Sequence, residues 1–193
     1  RVIMSLAPTD YDFGVPANYA FAEKITCSND EARRMYVEAF GHMLNYNHEQ
    51  AIACFTKCTE LDPNCAMAWW GIAYCLSSSY NWSAGLGPGY DAISQAVSLK
   101  DHCSELEQDL IMALSKRHTK EARDNANPAA LNMGNSPELN QAFADAMAPL
   151  YEKYSGDLDV TAVYVEALMN LNPWTLWNKD ASTGEITPVD DST

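Results

Sequence analysis

The residues best suited to chemistry crowd between positions 42 and 67, where His42, Met43, His48, Cys54, Cys58, Cys65 and Met67 lie close in sequence. Thiolate and thioether sulfur with imidazole is the donor set of a soft-metal site, and suits Cu(I) or zinc. Cys54 and Cys58 share a helix face if the segment is helical, and His42, His48, Cys65 and Met67 are the remaining candidate ligands. Against this, no cysteine pair has finger-type spacing, and free cysteine is among the most buried residue types. Catalytic motifs are absent from the sequence: it has no nucleophile elbow, phosphate-binding loop, Gly-rich dinucleotide turn or H-E-x-x-H. His48-Glu49 begins the last of these, but Ala51 and Ile52 stand where it would continue. Glu105, Glu107 and Asp109 are explained by the dipole of a helix start. These residues read as non-enzymatic and without a cofactor.

Periodicity supplies the elements that position such groups. Ser28-x-x-Glu31 has the form of a capping box, and apolar residues at 32, 35, 36, 39, 40 and 43 predict a helix over 29–44. Further helices are predicted over 48–61, 65–78, 88–100, 104–118, 136–154 and 158–171. Pro63 disfavours helical backbone at Asp62 and ends the second. Ser104-x-x-Glu107 caps the fifth, and Ser136-Pro137 starts the sixth, within which Pro149 predicts a kink. The last carries an apolar stripe at 160, 163, 164, 167, 168 and 171. Residues 1–26 read as an extended arm lying on the first helices through Tyr11, Phe13, Tyr19 and Phe21. An inserted loop at 77–89 and a long connection at 119–135 interrupt the array, and a polar tail runs over 178–193. The expected class is all-α, with about seven helices in antiparallel pairs.

Between 47 and 76 the pattern is more specific. Ala51 and Phe55 form an A-x3-F step, Pro63 follows, and Trp69 comes next, in the order of a tetratricopeptide repeat with its 34-residue period. Cys58 takes the small-residue slot after Phe55, and Ile72 and Ala73 take those after Trp69. The chain thus resembles tetratricopeptide-repeat proteins over 29–76 and, by pattern only, over 88–172. The segments NHEQAIACF, LDPNCAMAWWGIA and YVEALMNLNPW are similar to a group of long, poorly characterised members known mostly from bacteria. The resemblance implies an α-solenoid that binds a peptide or helix in a concave groove, with no activity of its own. Carried over by position, the groove would be lined by Arg33, Tyr36, Phe40 and Met43 on the first helix. Met67, Trp70, Tyr74 and Ser77 would line it on the third. Trp69 fills the structural slot, which turns Trp70 roughly 100° away, toward the groove. The bland alternative is that the arm or the inserted loop covers this face and makes its aromatics core. Aligning Ala92 with Ala51 implies about seven inserted residues.

The last predicted helix has no successor to cover it, which implies further helices beyond Thr193 or a cap formed by Trp174 and Trp177. Twelve basic against 26 acidic residues leave a net charge of −14. That excludes nucleic acid as the main partner and fits a basic protein or peptide. No apolar run approaches the roughly 20 residues of a transmembrane helix. The N-terminus is not a signal peptide, although its start at Arg1 suggests earlier processing. Six dispersed cysteines without C-x-x-C favour reduced thiols, hence cytoplasm or an organelle interior over secretion. Asn81-Trp82-Ser83 matches a glycosylation sequon, a triplet frequent by chance.

Overall fold

A computed structural model describes residues 24–77, 79–80, 87–124 and 136–189. Most of the expected arm and of the loop at 77–89 therefore lies outside the described residues. The class is all-α. The helices are α1 (Asp30–Leu44), α2 (His48–Leu61), α3 (Ala66–Cys75), α4 (Gly87–Leu99), α5 (Glu105–Ser115), α6 (Lys120–Asp124), α7 (Pro137–Lys153) and α8 (Leu158–Met169). A 3-10 turn at Lys100–His102 joins α4 to α5, and a small antiparallel hairpin pairs β1 (Trp177–Lys179) with β2 (Ile186–Pro188). All seven expected helices form; α6 is an extra short helix in the long connection, and the hairpin occupies what reads as a polar tail. No helix among the described residues is long and apolar enough to cross a membrane.

Local chemistry explains most boundaries. The Ser104 hydroxyl accepts from the Glu107 N–H while the Glu107 carboxylate accepts from the Ser104 N–H, a complete capping box. Ser136 and Asp157 cap α7 and α8, and α7 remains helical through Pro149. Asp62 adopts the extended backbone that a following proline favours. The start of α1 departs from expectation: Asn29, not Ser28, is the cap, its side-chain oxygen accepting from the Glu31 and Ala32 N–H groups. Ser28 is diverted to Asp62, whose carboxylate accepts from both its N–H (2.7 Å) and its hydroxyl (2.8 Å).

End-to-end contacts fix the helix directions. The Ser28–Asp62 pair puts the start of α1 beside the turn that opens α3. Glu107, in the first turn of α5, accepts from the Thr26 N–H and hydroxyl at 2.7 and 2.6 Å. Lys24 pairs with Asp157 and Asp159 at the start of α8, and Lys153 at the end of α7 pairs with Glu105 and Asp109. So α1, α3, α5 and α8 run one way, and α2, α4 and α7 run the other. Each long helix packs on its neighbour in sequence; α1 also touches α3, and α3 touches α5.

Small residues permit the closest approaches. A Cβ on Gly71 would collide with the tip of the buried Phe55 ring. By helix propensity alone, Gly71→Ala would stabilise by about 1 kcal/mol. Because a rigid, buried ring cannot yield, it is expected to destabilise by about 1–3 kcal/mol, read as a lower urea midpoint.

Candidate functional site

The residues assigned to an open groove are, with one exception, buried. Tyr36, Phe40, Met43, Met67, Trp70, Tyr74 and Ser77 all belong to the interior, while Arg33 is half-buried. Tyr36 packs between Phe40 and Phe55, with ring centroids 6.2 and 5.4 Å away. The Arg33 guanidinium donates to the carbonyls of Ile25 (2.9 Å) and Cys27 (2.6 Å), which ties down the segment before α1 rather than facing a partner. The two tryptophans exchange the roles expected of them. Trp69 is half-buried, with its indole N–H 3.3 Å from the Pro63 carbonyl, whereas Trp70 is 1% exposed and donates to the Leu110 carbonyl of α5 at 3.1 Å. The divergence of adjacent helical side chains is as expected. What differs is that α5 and α8 close over the face on which Trp70 lies.

A polar network completes that closure. Tyr74 stacks on Trp70 at 5.1 Å and donates its hydroxyl to Glu166 of α8 at 2.6 Å. Buried Arg117 lies over the Phe143 ring and donates to the Asn140 side-chain oxygen (3.0 Å); the Asn140 amide in turn donates to the Asn170 carbonyl. Burial raises the pKa of Glu166 above the usual glutamate range, against the opposing effects of the Tyr74 hydrogen bond and the Arg117 charge. Burial, reinforced by the Glu166 charge, also pushes Tyr74 up.

Ser77 and His118 make an apparent nucleophile–base pair, with Oγ 2.7 Å from Nε2. Yet the Ser77 hydroxyl donates to the Ala73 carbonyl (2.9 Å), so the hydrogen-bond pattern assigns the proton between the pair to Nε2. Such a histidine is no base toward Ser77, and both side chains are buried.

The metal candidates divide between two ends of α2. His42 and His48 flank the α1–α2 turn, whereas Cys58 and Cys65 flank the α2–α3 turn, about 20 Å away at 1.5 Å per helical residue. His42 and His48 therefore cannot share an ion with Cys65, and burial lowers the pKa of both imidazoles. Met43 and Met67 pack in the core. The structure instead gathers Cys27, Cys58 and Cys65, whose Sγ atoms lie within 4.8 Å of one another. All six cysteines are free thiols; Cys58 and Cys65 are buried and Cys27 half-buried. Sequence reading missed Cys27 because it lies far from the others along the chain, in a segment without periodicity.

A second feature is the outer side of α8. Its inner stripe, Asp159, Val160, Val163, Glu166 and Ala167, is buried. The opposite stripe, Leu158, Ala162, Val165 and Met169, is also apolar at heptad-like spacing. Leu158 is 78% and Val165 48% exposed, with Ala162 and Met169 half-buried. Tyr151 of α7, also exposed, sits beside this region with its ring 5.3 Å from Tyr164. Trp174 and Trp177 do not cap it by burial: they are 73% and 64% exposed, and Trp174 leans on Tyr80. The spacing is visible in sequence, but the stronger inner stripe masks it. Comparison of the chain with protein-family models, with curated proteins and with solved structures gives no match.

Proposed function

We propose that the chain is a tetratricopeptide-like α-solenoid scaffold, and that it docks an amphipathic, basic-flanked helix against the outer side of α8. The observation carrying this reading is the apolar stripe of Leu158, Ala162, Val165 and Met169 on a helix already buried on its other side. A helix at a protein surface ordinarily turns a polar face outward. Exposed apolar stripes of this kind mark interaction sites. The form of the occupant follows from the alternation of directions. Each of α1, α3 and α5 is paired with an oppositely directed helix, and α8 has such a neighbour only on its α7 side among the described residues. An antiparallel helix extends that order. The net charge of −14 favours Lys and Arg at the flanks of the incoming helix. The partner is thus read as a helix laid along an apolar stripe rather than a peptide in an aromatic groove.

A synthetic helix with leucines at heptad spacing and lysines at its ends provides the probe. The native chain should bind it in fluorescence anisotropy. Leu158→Glu with Val165→Glu should weaken binding about thirtyfold or more. Because both side chains are exposed, circular dichroism and melting should stay unchanged. Equal binding by the double variant, or by a scrambled peptide of the same charge, would refute the reading.

A further inference from the structure

We propose that Cys27, Cys58 and Cys65 form a three-coordinate site for a single soft monovalent cation, Cu(I). The three sulfurs come from three elements: the segment before α1, the last turn of α2, and the residue preceding α3. Their separation, within 4.8 Å for every pair, is close to what a trigonal site requires. With metal–sulfur bonds of about 2.3 Å, three ligands in a plane stand about 4.0 Å apart. Only sub-ångström movements are needed.

The site is held by bonds that do not involve the thiols' own packing. Arg33 grips the carbonyl of Cys27 at 2.6 Å, and Ser28, the next residue, is anchored to Asp62 through both its N–H and its hydroxyl. The N–H of Cys65 donates to the Asp62 carbonyl at 3.0 Å, closing the turn between Cys58 and Cys65. Both members outside the helices, Cys27 and Cys65, are thus held in place by hydrogen bonds of their own backbone or of the next residue.

Ligand number selects the metal. Structural zinc takes four ligands, and among the described residues no His, Asp or Glu places an atom within 4.8 Å of all three sulfurs. The Asp62 carboxylate, which pairs with the Cys27 thiol, accepts from Ser28 on one oxygen and from the Asn64 N–H (3.1 Å) on the other. A set of three sulfurs suits Cu(I). Binding is ligand exchange without electron transfer. Each S–H that reacts loses its proton to solvent as an S–Cu bond forms, and copper enters and remains as Cu(I). This assignment is independent of the helix-docking reading, since it concerns the opposite end of α2 from His48 and none of the outer residues of α8.

The test uses the whole chain, anaerobically, with Cu(I) held by a bathocuproine competitor and ascorbate as reductant. One Cu(I) per chain should be retained, with X-ray absorption giving a shell of three sulfurs. Cys27→Ser should reduce affinity by more than the roughly 10–100-fold that outer-shell changes cost. Cys27 is the variant of choice because it is half-buried, and unchanged circular dichroism separates ligand loss from unfolding. Cys54→Ser with Cys103→Ser, and His42→Ala with His48→Ala, should retain full stoichiometry. The assignment is overturned by loss of copper to the competitor, by undiminished affinity in folded Cys27→Ser, by nitrogen in the coordination shell, or by preference for zinc over Cu(I).

Discussion

Trp70→Ala is expected to destabilise the protein by about 3–5 kcal/mol, the cost of removing a fully buried aromatic. The ring is 1% exposed, stacks on Tyr74, and donates its N–H to the Leu110 carbonyl across to α5. Truncation thus opens a cavity and removes the second hydrogen bond of the Leu110 carbonyl, and the two costs act in the same direction. Urea denaturation reads the effect as a lowered midpoint with little change in slope. Were Trp70 a groove residue awaiting a partner, the same substitution would fall within about 0.5 kcal/mol of zero. A large loss places α3 inside the molecule, whereas a negligible loss would restore its open face.

Arg117→Met should cost a similar amount, about 3–5 kcal/mol, because it keeps the bulk but removes one charge from a buried set. Arg117 donates to Asn140 and lies over Phe143, and its charge offsets the burial of Glu166. Without it, the glutamate remains buried with only the Tyr74 hydroxyl and Asn170 to favour its ionised form. Adding Glu166→Gln should recover a substantial part of the loss, since the remaining charge then disappears and an acceptor for Tyr74 stays in place. The pH dependence has a definite sign. A carboxyl whose pKa is raised in the fold is protonated more readily when folded, so its contribution is greatest below the ordinary value of 4.5. That contribution declines as pH rises through the folded value. In Arg117→Met the folded value moves further up, and the decline should extend to higher pH than in the native chain.

Both substitutions bear on what sequence can and cannot convey. Helix positions were legible because their causes are local: the Ser104–Glu107 box, Ser136 before Pro137, and Pro63 after Asp62 each act within a few residues. The cap of α1 shows where locality ends. Ser28 and Asn29 are equally competent caps, and the choice falls to Asn29 because Asp62, from the following helix turn, takes Ser28. The Trp69–Trp70 pair is a larger instance. Helical geometry says that the two point apart, but which one is buried depends on α5 and α8, whose placement no local pattern contains. The thiol cluster depends likewise on the segment before α1 folding back on the α2–α3 turn. Cys58 and Cys65 were visible as candidates, whereas the third ligand was not, and the histidines near them in sequence point to the far end of α2. The outer stripe of α8 was readable at 158, 162, 165 and 169, yet a helix with two apolar stripes is dominated in any periodicity by the one that is fuller. The hairpin was missed for another reason: strands of three residues, exposed throughout, carry no alternation to detect.

The central claim, that the chain engages a helix through the outer side of α8, is tested most directly by hydrogen exchange with and without the lysine-flanked helical peptide. The expected result is slowed exchange in Leu158–Met169 and in the adjoining C-terminal half of α7, with α1 and α3 unchanged. Protection appearing on α1 and α3 instead, or nowhere, would contradict it.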